Sequence, residues 1–166
     1  MSKNNVMKPV RISDAVVDGL IAGLEAGLVM VVFLIAVEWA STGDGAGLTL
    51  ARFDPGNHPA PLTGLIVHLA VSGVYGLVFG FIGWLLNQRV SLLLGSGLSI
   101  LYGGLYGTAI FLLPWLTFSA KVGQSFLGFS PLVFWLAHVL YGSSLAVIVA
   151  RTWSRVSEAR GAYNLS

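Results

Sequence analysis

Four long apolar stretches set the strongest constraint on how this chain can fold. They cover residues 15–40, 62–86, 92–118 and 131–150. Each has about 20 residues or more, the length that an α-helix needs to cross the hydrocarbon core of a bilayer. Only 10% of the 166 residues are charged, against roughly 25% in ordinary soluble domains. The sequence therefore predicts an all-α integral membrane protein with four transmembrane helices.

The basic residues are distributed unevenly about these spans. Arg52 and Lys121 lie in the two connections on one side, whereas the chain ends and the 87–91 connection on the other side carry Lys3, Lys8, Arg11, Arg89, Arg151, Arg155 and Arg160. Because Lys and Arg are enriched in cytoplasmic loops, both termini are expected in the cytoplasm. The predicted organisation is a cytoplasmic segment 1–14, a transmembrane bundle 15–150 and a cytoplasmic tail 151–166.

The chain has no cysteine, which excludes disulfides, thiolate nucleophiles and Cys-based metal sites. No metal site is predicted from the remaining ligand types, since no third histidine or carboxylate is clearly placed beside a histidine pair. No basic block with interleaved aromatic residues is present, so nucleic acid is not an expected partner. An enzyme is the least supported class, because the sequence offers no nucleophile–base pair.

Small residues recur at four-residue spacing along the predicted helices. Such spacing lets two helix backbones approach closely in lipid, where close contact replaces the hydrophobic effect. We therefore expect these positions to form helix–helix contacts. They are Gly19, Gly23 and Gly27 in the first span, Gly76 and Gly80 in the second, and Gly103 and Gly107 in the third.

A weak internal duplication relates the two halves of the chain. When His68 is laid on His138, Ser72 falls on Gly142. The match favours two helical hairpins that run in the same direction, which is a parallel repeat. Shared membrane composition is the alternative source of the similarity.

His68 and His138 are predicted at similar depth, six or seven residues into their spans and so about 10 Å below the outer surface of the hydrocarbon core. Two imidazoles on facing helices, with small residues such as Ser72 and Gly142 beside them, suit the axial ligation of a b-type haem. The alternatives are another ligand, including a lipid or pigment contact, and a neutral histidine that hydrogen-bonds a hydroxyl or carbonyl of a neighbouring helix.

Asp18 and Glu25 are seven residues apart, hence on one face of the first helix, and Glu25 falls near the bilayer centre. An ionised carboxylate is costly at that depth, and intramembrane acids are functional candidates. Glu25 is therefore either a proton-relay group or a protonated acid that donates to a tyrosine or carbonyl of the third helix.

Three segments carry a resemblance to known proteins: "GLIAGLEAGLVM" in the first span, "HLAVSGVYGLVFG" in the second and "AHVLYGSSLAV" in the fourth. They resemble uncharacterised four-span bacterial membrane proteins whose second and fourth helices each carry a histidine followed by small residues. The resemblance covers most of residues 15–150. It implies the four-span topology and a bacterial source, hence the cytoplasmic (inner) membrane, and implies no mechanism.

The expected function is a non-catalytic accessory or structural subunit of a larger membrane complex, with respiratory and photosynthetic electron-transfer assemblies first. The chain has little mass outside the membrane and many small-residue faces, which suits packing against other membrane subunits and the lipid bilayer. One alternative is a haem b-binding protein with His68 and His138 as axial ligands. The other is a small transporter or channel that uses Glu25.

Overall fold

The computed structural model describes residues 11–87, 96–117 and 128–163, and every regular element in them is a helix. The elements are α1 (Ile12–Thr42), α2 (Ala46–Ala51), α3 (Pro61–Asn87), α4 (Ser96–Thr117) and α5 (Pro131–Tyr163). Three of them, α1, α3 and α5, are long and apolar enough to cross a membrane. The apolar part of α4 is shorter, Gly97–Leu113. The prediction of an all-helical membrane bundle is confirmed at this level.

The helix bounds differ from the predicted spans in two places. Helix α5 continues past residue 150 to Tyr163, because the residues after Ala150 change from apolar to polar without a proline that would stop the helix. Helix α2 lies inside the stretch that the sequence predicts as an irregular connection. Residues 92–95 and 118 of the predicted third span lie outside the described residues, as do Lys3, Lys8, Arg89 and Lys121 of the charge pattern.

Local sequence explains two of the helix boundaries. Gly43 ends α1 in the left-handed conformation (φ 76°), and its N–H donates to the Trp39 carbonyl at 3.0 Å. Ser130 precedes α5, its hydroxyl accepts a hydrogen bond from the Val133 N–H at 3.3 Å, and Pro131 occupies the first helical position. The sequence therefore marks the C-terminal end of α1 and the N-terminal end of α5.

Helices α1 and α3 form a hairpin whose backbones are in direct contact along one line, the first seam. A Cβ atom at Gly23 would lie 2.8 Å from the Gly76 Cα, and one at Gly19 would lie 2.9 Å from the Gly80 Cα. Real Cβ contacts are not that short, so the seam needs glycine on both helices. The first seam consists of Gly19, Gly23, Gly27, Ser72, Gly76 and Gly80.

Helices α4 and α5 form a second hairpin with the same kind of contact, the second seam. A Cβ atom at Gly103 would lie 2.7 Å from the Ala146 Cβ, and one at Gly107 would lie 2.7 Å from the carbonyl carbon of His138. Gly142 sits opposite both glycines, and a Cβ there would overlap the Gly103 carbonyl oxygen. The second seam therefore consists of Gly103, Gly107, His138, Gly142 and Ala146.

Large aromatic side chains and hydrogen bonds join the two hairpins. The ring of Phe79 on α3 lies 5.2 Å from the Tyr102 ring and 5.0 Å from the Tyr106 ring of α4. Helix α1 packs against α5 on the other side of the bundle. Three side-chain donors bridge the hairpins: Tyr106 to the Tyr75 carbonyl at 2.6 Å, Tyr141 to the Ser72 carbonyl at 2.6 Å, and the Trp153 indole to the Asp18 carboxylate at 3.2 Å.

Candidate functional site

His68 is buried in the first hairpin, with 7% of its surface exposed. Its Nε2 lies 3.0 Å from the Gly27 carbonyl oxygen. A carbonyl can only accept, so this bond fixes the proton on Nε2. Gly27 has no side chain to cover its carbonyl, which leaves that oxygen accessible to the neighbouring helix. The imidazole thus joins α3 to α1 at Gly27, the last glycine of the first seam along α1.

His138 makes its hydrogen bond within its own helix. The Nδ1 atom lies 2.8 Å from the Phe134 carbonyl oxygen one turn earlier, which places the proton on Nδ1. This tautomer leaves the Nε2 lone pair available as an acceptor or ligand, the arrangement that a metal-binding histidine commonly has. The two histidines therefore differ in which ring nitrogen is used.

A chain of aromatic contacts runs from one imidazole to the other. The Phe53 ring lies 4.6 Å from the His68 ring and 6.4 Å from the Phe129 ring. The Phe134 ring stacks on Phe129 at 6.1 Å and meets His138 edge-on at 4.6 Å. The histidines thus lie at the two ends of this chain, in the half of the bundle that holds α2.

The structure places Ser72 and Gly142 in different surroundings. Ser72 belongs to the first seam, where a Cβ at Gly27 would lie 2.6 Å from its hydroxyl, and Gly142 belongs to the second seam. The His68 Nε2 is already bonded to the Gly27 carbonyl. Haem ligation by His68 and His138 therefore stays a prediction.

At the end of the bundle that the charge pattern predicts to be the outer end, Glu38 and Arg52 form a two-pronged ion pair. The Arg52 Nη2 lies 2.6 Å from Glu38 Oε1, and Nη1 lies 3.1 Å from Oε2. The Glu38 side chain is 7% exposed and that of Arg52 is 21% exposed. Parallel hydrogen bonds of this kind combine charge attraction with fixed geometry. The pair joins the outer end of α1 to the residue that follows α2.

The same guanidinium also holds the segment that leads into α5. Its Cζ lies 4.8 Å from the centre of the Phe129 ring, a cation–π distance. Gly128 adopts φ 78°, and a Cβ there would lie 3.3 Å from the Arg52 Cζ, so both conformation and space favour glycine. We call Glu38, Arg52, Gly128 and Phe129 the outer cluster. It connects the two hairpins at their outer ends.

Two further features affect the stability of residues 43–60, which connect α1 to α3. The Asp54 carboxylate accepts hydrogen bonds from the Gly56 and Ala60 N–H groups, both at 2.8 Å, and these bonds hold the pKa of Asp54 below its ordinary value. Thr49 of α2 is fully buried, and its hydroxyl has no hydrogen-bond partner among the described residues. The Asp54 turn stabilises the segment, whereas the buried Thr49 hydroxyl costs stability.

The structure separates the two acids of α1. Asp18 is partly buried and accepts the hydrogen bond from Trp153 of α5. Glu25 is exposed on the surface of the bundle, and its sequence neighbours are the exposed Leu24 and the buried Ala26. Among the described residues no hydrogen bond joins Glu25 to a tyrosine or carbonyl of α4, and α1 packs mainly against α3 and α5.

The described residues hold no metal cluster, and the cavity beside Phe79 is small. No group of three histidines or carboxylates is close enough to bind a metal ion in this part of the chain. The most favourable cavity found among these residues has a volume of about 10 Å³ and is lined by Phe79, Ser99, Ala146 and Trp153 with three neighbours. That is room for about one water molecule.

Sequence reasoning missed the outer cluster. Glu38 is near the outer end of a span and Arg52 is one of only two basic residues on that side, so the pairing of an isolated acid with an isolated base was the available signal. Phe129 carries no such signal. A comparison of the chain with protein-family models, curated proteins and solved structures finds no match.

Proposed function

We propose that this chain is a non-catalytic subunit of a larger bacterial membrane assembly, with a respiratory or photosynthetic electron-transfer complex as the favoured class. The observation that supports this is the position of Glu25. It lies 13 residues after the start and 17 before the end of α1, Ile12–Thr42, and it is exposed to the surroundings of the bundle. A carboxyl group at mid-membrane is thus directed away from the chain's own interior.

Such a group is costly when lipid alone surrounds it. Hydrocarbon offers no hydrogen-bond partner, and polar side chains at mid-depth normally face a protein or water-filled region. A neighbouring transmembrane helix that hydrogen-bonds Glu25 removes this cost and gains affinity from the same contact. The apolar residues around Glu25 on that face would pack against the same neighbour. The face is therefore suited to subunit contact.

The interior of the bundle gives less support to the other two functions. A transporter that uses Glu25 needs the carboxyl to line a path, whereas Glu25 lies on the outside of α1. Haem ligation by His68 and His138 needs an open slot, whereas aromatic rings and a helix seam occupy the described surroundings. Both alternatives stay predictions, and the haem alternative has a distinct signature in the experiment below.

The topology is part of the proposal. We place both termini in the cytoplasm on the strength of the charge distribution, and the chain in the bacterial inner membrane on the strength of the resemblance. The parallel repeat is supported by one matching contact. Gly27 meets Ser72 in the first seam, and Gly103 meets Gly142 in the second. In the duplication Ser72 corresponds to Gly142, so these two contacts use equivalent positions of the second and fourth spans.

The experiment is native mass spectrometry of the tagged chain released from its own membrane in mild detergent. The wild type is expected in a larger assembly of fixed stoichiometry, and Glu25→Leu is expected to leave it. Val74→Leu is the matched control, since Val74 of α3 is 59% exposed but far from the Glu25 face. A wild-type chain found only alone, or only as a multiple of itself, contradicts the proposal. Added mass equal to haem would favour the haem alternative.

A further inference from the structure

We infer that the face of α1 around Glu25 binds a second copy of this chain. The contact surface is the α1 stripe, which we define as Ile21, Glu25, Leu28 and Val32. The inference rests on the proposed function in treating this face as a protein contact, and it adds the identity of one partner. The subunit would then enter its assembly as a pair of chains.

The α1 stripe has the spacing of a helix–helix interface. Its members are separated by four, three and four residues, the alternation that keeps one line of side chains facing a partner helix in a left-handed crossing. Ile21, Leu28 and Val32 are 52%, 47% and 63% exposed, so no other described part of the chain covers them. The stripe therefore offers a continuous apolar contact interrupted by one carboxyl group.

Symmetry supplies the partner for that carboxyl group. In a twofold dimer whose axis is parallel to the membrane normal, each residue of the interface meets its own copy at the same depth. A protonated carboxylic acid carries one donor and an acceptor oxygen, so two such groups can close a pair of hydrogen bonds with each other. Glu25 would therefore satisfy Glu25 of the second copy without any additional residue.

Few other exposed side chains among the described residues could pair with Glu25. In the described parts of the predicted spans, it is the only acidic or basic side chain that is exposed. The nearest exposed cation along α5 is Arg151. Because Trp153 is level with Asp18, Arg151 lies about 8 Å closer to the inner end than Glu25, at 1.5 Å per residue. A cation at the depth of Glu25 would have to come from a different protein.

The absence of cysteine from the chain makes the test direct. Single-cysteine variants Leu28→Cys and Val32→Cys place a thiol on the α1 stripe. Val74→Cys and Leu105→Cys place one on α3 and α4, at positions 59% and 63% exposed. Oxidative cross-linking in native membranes is expected to give covalent dimers of this chain from the two stripe variants and few from the two controls.

The role of the carboxyl is tested by energy transfer between donor- and acceptor-labelled copies that are diluted with lipid. Glu25→Leu is expected to lower the association constant about 3- to 20-fold, the range of single hydrogen bonds between membrane helices. Glu25→Gln should retain most of it, since an amide also donates and accepts. Neither change alters the interior of the bundle, so folding is expected to be unaffected.

The outcomes separate this inference from the proposed function. Stripe cysteines that cross-link no better than the controls, or only to a different protein, overturn the second-copy proposal even when a larger assembly is present. Self-cross-linking through the stripe, with no larger assembly in native mass spectrometry, supports the pair and overturns the proposed subunit role. Equal association of Glu25→Leu and wild type also overturns the inference.

Discussion

Substituting alanine for two adjacent glycines of α4 gives a sharp test of the second seam. A Cβ at Gly103 would lie 2.7 Å from the Ala146 Cβ and 2.8 Å from the carbonyl carbon of Gly142, whereas a Cβ at Gly104 has its nearest neighbour at 3.5 Å. Favourable carbon–carbon contacts lie at about 3.5–4.0 Å. Gly103→Ala therefore forces α4 and α5 apart by about 1 Å, and Gly104→Ala does not.

The expected difference in the free energy of unfolding between the two variants follows from two terms. Both variants gain the same helix propensity, at most about 1 kcal/mol for glycine to alanine. Only Gly103→Ala adds the cost of overpacking, about 1–3 kcal/mol. Because the propensity gain cancels in the comparison, Gly103→Ala should be less stable than Gly104→Ala by about 1–3 kcal/mol.

The assay is the free energy of unfolding in mixtures of mild detergent and SDS, followed by tryptophan fluorescence. Gly104→Ala serves as the matched control, since it makes the same chemical change one residue away on the same helix. Two variants that agree within about 0.5 kcal/mol, the usual scatter of surface substitutions, would refute the close contact of α4 and α5 at Gly103.

Three further predictions concern the outer end of the bundle. Arg52→Met should lower the free energy of unfolding by about 3 kcal/mol, because it leaves the Glu38 carboxylate buried and unpaired; the additional change Glu38→Gln should restore part of the loss in the same detergent assay. Thr49→Val should raise the free energy of unfolding by about 1 kcal/mol, because the substitution removes a buried hydroxyl that has no partner. A lower free energy of unfolding would instead indicate that the hydroxyl is hydrogen-bonded. The pKa of Asp54 is lower in the folded chain than in the unfolded chain. Asp54 therefore contributes its full stabilisation of the turn above the ordinary carboxyl pKa of about 3.9, and this stabilisation is lost as the pH falls through the lower folded-state pKa. Proteolysis of this turn, measured against pH, should therefore increase at acid pH in the wild type and depend less on pH in Asp54→Asn.

The long helices and the seam positions could be predicted because they depend on local pattern. Apolar length alone locates the spans, and glycine at four-residue spacing marks where backbones approach, as at Gly19 and Gly23. The structure places all seven predicted packing glycines in the two seams. Helix α2 was not predictable, because six residues that include a glycine carry no periodic signal.

The direction of Glu25 could not be predicted because α1 is apolar on every side. In a soluble helix the polar face identifies the outer surface, whereas in lipid the outer surface is itself apolar. The bond between His68 and Gly27 depends on how α1 and α3 are rotated about their axes, which the sequence does not encode in any one residue. The sequence singled out Glu25 and His68 as candidate residues, but only the tertiary structure shows which groups surround them.

The proposed function and the second-copy interface both depend on Glu25 lying at mid-depth on the outer surface of α1. Spin labels at Glu25→Cys, with Val32→Cys as lipid-facing reference and Ser41→Cys as reference near the outer end, test this in nanodiscs that hold one chain each. The account predicts that the label at position 25 collides with dissolved oxygen as often as the label at position 32, and rarely with an aqueous nickel complex. Frequent collision with the nickel complex would place position 25 on a water-lined path, and rare collision with both reagents would place it inside the bundle. Either result would contradict the account.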